Sequence, residues 1–242
     1  MSTLIERFAG FFPTARTLAV VTPFALLYGL AAAALAAALR RRGTRVPYTR
    51  KVFHFTIFTM ATAVQLTWGL PGVTVFGTVV SLLVLAAVVH GPRNPLYEAL
   101  ARPSDAPHGT LFILVPLLTT AAGGGLSNLL FPGYAYIGYL VCGWGDAVGE
   151  PVGTRWGRHR YRVPSLGGVA AVRSLEGSAA VFLMGSLAAV IGLLAFGRAP
   201  GEAVLLGLAA GFAGAVVEAA STHGLDNLTV QVAASAAAWW LG

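Results

Sequence analysis

Apolar runs of about 18 residues or more recur along this chain, and they constrain its fold more than any other feature. Each is long enough to cross a bilayer as a helix. In hydrocarbon the backbone must satisfy its own hydrogen bonds, so these runs are expected to be helical. Eight spans are predicted, over residues 17–39, 52–69, 72–90, 109–123, 126–143, 177–196, 202–220 and 228–241. Gly123-Gly124-Gly125 and Leu70-Pro71-Gly72 mark the expected breaks between neighbouring runs. Composition agrees: 56% of the 242 residues are hydrophobic, only 10% are charged, and mean hydropathy is +0.73. A soluble domain carries about a quarter charged residues to cover its surface. The expected fold is an all-α, polytopic transmembrane bundle, with residues 1–242 forming a single domain.

The net charge of +7 does not point to nucleic acid, because the basic residues cluster beside apolar runs, as topology signals do. Arg40, Arg41, Arg42, Arg45, Arg50, Lys51, Arg93, Arg102, Arg155, Arg158, Arg160, Arg162 and Arg173 fall in loops on one side of an eight-span arrangement. Only Arg7, Arg16 and Arg198 fall opposite. The positive-inside rule makes the first side cytoplasmic. That side also carries nearly all the unusual polar residues, so chemistry is expected at the cytoplasmic face. The first run ends at an arginine cluster and reads as an uncleaved span rather than a signal peptide. The lone cysteine, Cys142, has no partner within the chain for a disulfide.

Four polar constellations stand out. Arg50-Lys51-Val52-Phe53-His54 opens the second span, with Arg50 and His54 on one helical face. Arg50 and Lys51 stay cationic and donate hydrogen bonds, which suits a phosphate chain. His54 could orient them or relay a proton. An anchor at the membrane edge would look the same.

The second runs from Gly145-Asp146 through Gly149-Glu150 to Gly153-Thr154-Arg155-Trp156-Gly157. A helix would present Asp146 and Glu150 together. Gly145, Gly149, Gly153 and Gly157 would form a strip without side chains, where another backbone or a phosphate can come close. Two carboxylates at a membrane edge are costly unless a cation joins them. Mg²⁺ bridging carboxylates and phosphates is one such cation. A helix-packing strip whose acids pair with Arg155 or Arg158 is the other reading.

The third is Arg173-Ser174-Leu175-Glu176-Gly177. Arg173 is placed to neutralise charge on a transferring phosphoryl group. Ser174 also reads as a helix cap, with Glu176 favourable in the first turn. The fourth is Glu218 in an otherwise apolar run, followed by Ser221-Thr222-His223-Gly224-Leu225-Asp226-Asn227. An acid within an apolar span is a functional-site hypothesis by default, while Asp226-Asn227 also reads as the N-cap of the last helix. The chain has no Walker A loop, no protein-kinase signature set and no zinc pattern.

Taken in order, Arg50-Lys51-x-x-His54, Gly145-Asp146-Ala147 with its spaced glycines, Arg173-Ser174-x-Glu176-Gly177, and Glu218 before Asp226-Asn227-Leu228 form a set. Over about residues 46–242 this set resembles the membrane lipid-alcohol kinases: dolichol kinase, phytol kinase and the CTP-dependent diacylglycerol kinase of yeast. The resemblance implies transfer of a nucleotide γ-phosphate, often from CTP rather than ATP, to the hydroxyl of a membrane-embedded alcohol. It also implies a divalent metal. Arg50, Lys51, Asp146, Gly153 and Gly157 match positions regarded as functional in the family. Arg173 stands where the family often has lysine, and Glu150 where it often has alanine or another small residue. The pattern is also related to the CDP-diacylglycerol synthases, but their His-Gly-Gly and Asp-Arg-x-Asp signature is absent here.

The expected activity is therefore a kinase for a long-chain isoprenoid alcohol, with the alcohol's tail left in lipid. Metal would be held by Asp146, assisted by Glu150 or Asp226. Arg50, Lys51, Arg155 and Arg173 would clamp the triphosphate, with Gly145, Gly149, Gly153, Gly157 and Ser174 beside it. Asp226 and His54 are the candidates for general base, and Glu176, Glu218 and Asn227 complete the candidate set. The rival readings are a cytidylyltransferase acting on phosphatidic acid and a transporter or scaffold. Glycine strips serve packing within and between chains, so a homo-oligomer is compatible with the sequence.

Overall fold

The computed structural model describes residues 3–164, 171–222 and 224–242. The chain divides into two compact units, Met1–Leu117 and Leu118–Gly242. The described residues are almost wholly helical. Five helices are long and apolar enough to cross a membrane by length and composition. Large apolar side chains point outward from them, such as Leu27, Leu183, Leu205 and Phe212. Apolar patches of this extent suit lipid and not water. The chain is a polytopic helical membrane protein.

The first unit holds α1 (Leu4–Ala9), α2 (Ala15–Arg41), α3 (Val46–His90), α4 (Pro95–Leu100) and the start of α5 (Leu111–Leu130). Its core joins Val21, Ala25, Ala32 and Ala36 of α2 to Phe53, Phe76, Val80 and Val84 of α3. Small residues on α2 let the bulkier α3 come close. α3 breaks at Gly69, whose φ of 65° and ψ of −163° are open only to glycine, two residues before Pro71. This is the break expected at Leu70-Pro71-Gly72. The first half of α3 starts at Val46, with Pro47 in its first turn, so Arg50 and Lys51 lie inside the helix rather than before it.

The second unit continues α5 and adds α6 (Ala135–Trp156), an antiparallel ribbon of β1 (Arg160–Val163) and β2 (Ala171–Ser174), then α7 (Leu175–Ala195), α8 (Pro200–Ala220) and α9 (Asp226–Leu241). α6 packs on α7 and α9, and α8 packs on both of those. The ribbon pairs Tyr161 with Arg173 and Arg160 with Ser174. It was not expected from the sequence, where four-residue strands carry no distinct period.

Two spans need correction. Gly123-Gly124-Gly125 does not end a helix; α5 runs through it to Leu130. A Cβ on Gly123 would lie 2.8 Å from both Gln231 Nε2 and the Leu228 Cα. The glycines therefore admit α9 at close range instead of turning the chain. The turn comes at Phe131–Tyr134, with Gly133 at φ 86°. The predicted spans 109–123 and 126–143 become α5 and α6. α6 extends through Trp156, which puts the whole Asp146–Trp156 motif on one helix.

Candidate active site

The first unit carries one of the predicted constellations. Lys51 is buried, and Arg50 is partly buried on the same turn of α3. Among the described residues Arg50 Nη1 has no hydrogen-bond partner. His54 lies one turn on and stacks against Phe58 at 4.3 Å. The burial of two adjacent cations exceeds what a solvated topology anchor requires.

In the second unit, α6, α8 and α9 bring Asp146, Glu218, Asp226 and Asn227 to a single small cleft. Val141, Cys142, Val181 and Val230 form its apolar wall. Arg173 reaches two of these acids, Glu218 and Asp226, from β2. Its Nη1 pairs with Glu218 Oε1, and its Nη2 lies 3.0 Å from Asp226 Oδ2. Nη2 also donates to the Ser221 carbonyl at 3.3 Å. The three charged side chains are only 11–12% exposed. Ionised groups this far from water persist when each has a partner, and here one guanidinium serves two carboxylates.

Asp226 is engaged at both oxygens. Oδ1 accepts the backbone N–H groups of Gly224 and Asn227, each at 3.1 Å. It thereby ties the turn before α9 to the helix start, although the N-cap position itself is Leu225 and has no side-chain cap. The N-cap expected of Asp226-Asn227 is therefore replaced by a carboxylate one residue inside the helix. Within the preceding run, His223 lies outside the described residues.

Asn227 faces Cys142, with its Oδ1 3.7 Å from the thiol, and its Nδ2 donates to Thr120 Oγ1 at 2.8 Å. Gln231, one turn along α9 and fully buried, donates to the Asn227 carbonyl and to the Thr120 carbonyl. Thr119 Oγ1 donates to the Gly224 carbonyl at 2.6 Å. The sequence reading missed Thr120 and Gln231. A glutamine inside an apolar span, four residues after Asn227, was the available signal.

Other candidates are placed elsewhere. Glu150 follows Asp146 by one helical turn but is not part of the cleft lining. Arg155 is exposed at the end of α6, over the Trp156 ring at 5.1 Å. Ser174 is buried and caps α7, accepting the Gly177 N–H at 3.1 Å, as its sequence position predicts. Glu176 turns toward His159, whose Nδ1 lies 2.7 Å from Glu176 Oε1. The glycine strip faces protein. A Cβ on Gly145 or Gly149 would run into Val181, and one on Gly153 or Gly157 into Ser174. Of the two close approaches the spacing permits, the one present here is to α7 and its cap. The strip sets how near Asp146 can sit to α7.

The donors in the cleft are hard oxygens: three carboxylates and an amide. Among the described residues no three acids, histidines or thiols converge tightly enough to chelate an ion by themselves. Hard oxygens are the donors Mg²⁺ takes, usually one or two carboxylates together with substrate phosphates.

A bundle of apolar helices that gathers acids in one small cleft, two of them paired with a buried arginine, has the make-up of a membrane-embedded enzyme for a charged substrate. The phytol kinase of Synechocystis sp. (strain ATCC 27184 / PCC 6803 / Kazusa) is 32% identical to this chain over 238 residues, covering 95% of the chain and 97% of that protein. No family model and no solved structure matches. The chain belongs to the lipid-alcohol kinase family of phytol and dolichol kinases, and is a phosphotransferase acting on a lipid alcohol.

Proposed function

We propose that this enzyme transfers the γ-phosphate of CTP to the hydroxyl of a long-chain isoprenoid alcohol, phytol or a polyprenol, at the cytoplasmic face of the membrane. The observation that carries the site assignment is the meeting of Asp146, Glu218 and Asp226 from three helices at one cleft, with Arg173 paired to Glu218 and Asp226. The likeness to a phytol kinase supports the isoprenoid acceptor. The outward-facing apolar surfaces of the helices suit an acceptor whose tail stays in lipid.

In this reading Asp146 and Asp226 hold Mg²⁺, with Glu218 in place of the Glu150 expected from sequence. Mg²⁺ held by these residues would supply positive charge against the nucleotide's phosphates. Arg173 supplies a guanidinium for charge developing on the transferring phosphoryl group. Arg50 and Lys51 keep the phosphate-binding role that the resemblance implies. Asp226, whose Oδ1 is committed to two backbone amides at the start of α9, is assigned to the metal rather than to the acceptor hydroxyl. Phosphoryl transfer asks mainly for positioning and electrostatic stabilisation, which this donor set provides.

The test incubates purified protein in detergent with Mg²⁺, γ-labelled CTP or ATP, and a panel of phytol, farnesol, polyprenol, diacylglycerol and phosphatidic acid. Label in an isoprenyl monophosphate, with CTP preferred, is the expected result. Label in diacylglycerol phosphate would replace the acceptor, and labelled pyrophosphate with a CDP-lipid would replace the reaction. Asp146→Asn is expected to lower turnover at least about 100-fold, the scale of losing one electrostatic stabiliser. Full activity with normal metal dependence in that variant would remove Asp146 from the centre of the site.

A further inference from the structure

The acids of the cleft already have a cation, and it belongs to the chain. Arg173 holds Glu218 through one nitrogen and Asp226 through the other. The remaining oxygen of Asp226 is committed to two backbone amides. A metal that reaches the outer oxygen of Asp226 therefore meets a guanidinium already bound there. The same guanidinium is the group best placed in this unit to meet a phosphoryl oxygen.

We infer that Arg173 changes partners during the reaction cycle. Without nucleotide it is the resident counter-ion of Glu218 and Asp226. When metal and nucleotide enter, it passes to the polyphosphate, and the metal takes its place on the carboxylates. This inference rests on the proposed reading of the cleft as the metal site.

Three features favour an exchange over a fixed pair. Two carboxylates only 11–12% exposed share one guanidinium, so the position a metal would take is already held by a cation of the chain. Removing that cation without replacing it would leave buried charge unpaired. Exchange for a metal avoids this. Finally, Arg173 stands on a two-stranded ribbon, an element of low stability on its own, whereas its partners stand on α8 and α9. A small displacement of the ribbon moves the guanidinium while the acids stay in place. The Tyr161 hydroxyl, 2.7 Å from Ser178 Oγ, limits that displacement by linking the ribbon to α7.

The test reads Mn²⁺ binding to nucleotide-free protein in detergent, by electron paramagnetic resonance of the unbound ion. If Arg173 competes with the metal, Arg173→Gln binds Mn²⁺ about tenfold or more tightly than the parent, the scale on which an opposite charge alters a carboxylate's cation affinity. The same variant loses affinity for the Mn²⁺–nucleotide complex by a similar factor, because the phosphate ligand is gone. Unchanged or weaker Mn²⁺ binding in Arg173→Gln overturns the exchange.

Should Arg173→Gln fail to fold, the pair Glu218→Gln and Glu218→Gln/Arg173→Gln decides the matter. The double variant keeps the formal charge of the parent trio. Tighter Mn²⁺ binding in the double variant than in Glu218→Gln supports exchange, and equal binding overturns it. Asp146→Asn separates this inference from the reading beneath it. If it weakens Mn²⁺ binding while removal of Arg173 changes nothing, the metal site stands and the exchange falls. If neither change affects Mn²⁺ binding, the metal reading itself falls.

Discussion

Two polar clusters flank the β1–β2 ribbon, and they differ most in their exposure to water. His159, just before β1, pairs with Glu176 at 2.7 Å, and their side chains are 74% and 28% exposed. Arg173, on β2, pairs with Glu218 and Asp226 at 11–12% exposure. Both clusters tie the ribbon to helix ends. Only the second does so where water cannot screen or replace the partners. Solvent sets their weights: exposed pairs add little, whereas a cluster out of water is costly to break.

The largest expected effect on stability tests that contrast at its buried end. Arg173→Gln is predicted to destabilise the protein by about 3–5 kcal/mol, because two poorly hydrated carboxylates lose their counter-ion. Glu218→Gln/Arg173→Gln should recover part of the loss, since it removes one uncompensated acid. Thermal or chaotrope unfolding in one detergent measures both. If the double variant is no more stable than Arg173→Gln, charge burial is not the source of the cost.

Most of the fold was legible in the sequence, because spans without charge have one structure open to them in lipid. The break at Gly69 and the cap at Ser174 were legible for the same reason: each rests on local chemistry, a glycine backbone and a hydroxyl beside a free amide. The α5–α6 boundary was not. A glycine triplet reads as a break until α9 is known to lie against it. The candidate acids were also legible, since carboxylates in apolar runs stand out, but their grouping was not. Helical spacing pairs Asp146 with Glu150, while the fold sets Asp146 at a cleft with Glu218 and Asp226, more than 70 residues further on. Packing makes that choice, and a single helix carries no information about it.

Packing gives the next prediction. The glycine strip of α6 holds α7, and α7 follows directly from the ribbon that presents Arg173. On Gly149 a new Cβ would overlap Val181 and lie 3.2 Å from the Gly177 carbonyl. Gly149→Ala is therefore expected to cost about 1–3 kcal/mol, as overpacking does. Gly125 is the control, because nothing lies within 4 Å of a Cβ there. Gly125→Ala should be neutral or slightly stabilising within its helix. Equal effects at the two positions would mean that α6 and α7 are less closely packed than the strip requires.

The smallest effect belongs to the exposed pair. In His159→Ala the imidazole contact to Glu176 is lost, but the His159 backbone N–H still donates to both Glu176 oxygens at 3.3 Å. The carboxylate remains half-solvated and needs no replacement partner. The melting temperature is expected not to change measurably, and phosphotransfer should be kept. A variant with its melting temperature intact but its turnover lowered would give a different result. It would show that Glu176 is held in place for the reaction and not for the ribbon. Glu176→Gln would then have to lose activity to the same degree, because the imidazole acts on nothing else among the described residues except through that carboxylate. The contrast between the two clusters would then be one of solvent exposure alone, with chemistry at both ends of the ribbon.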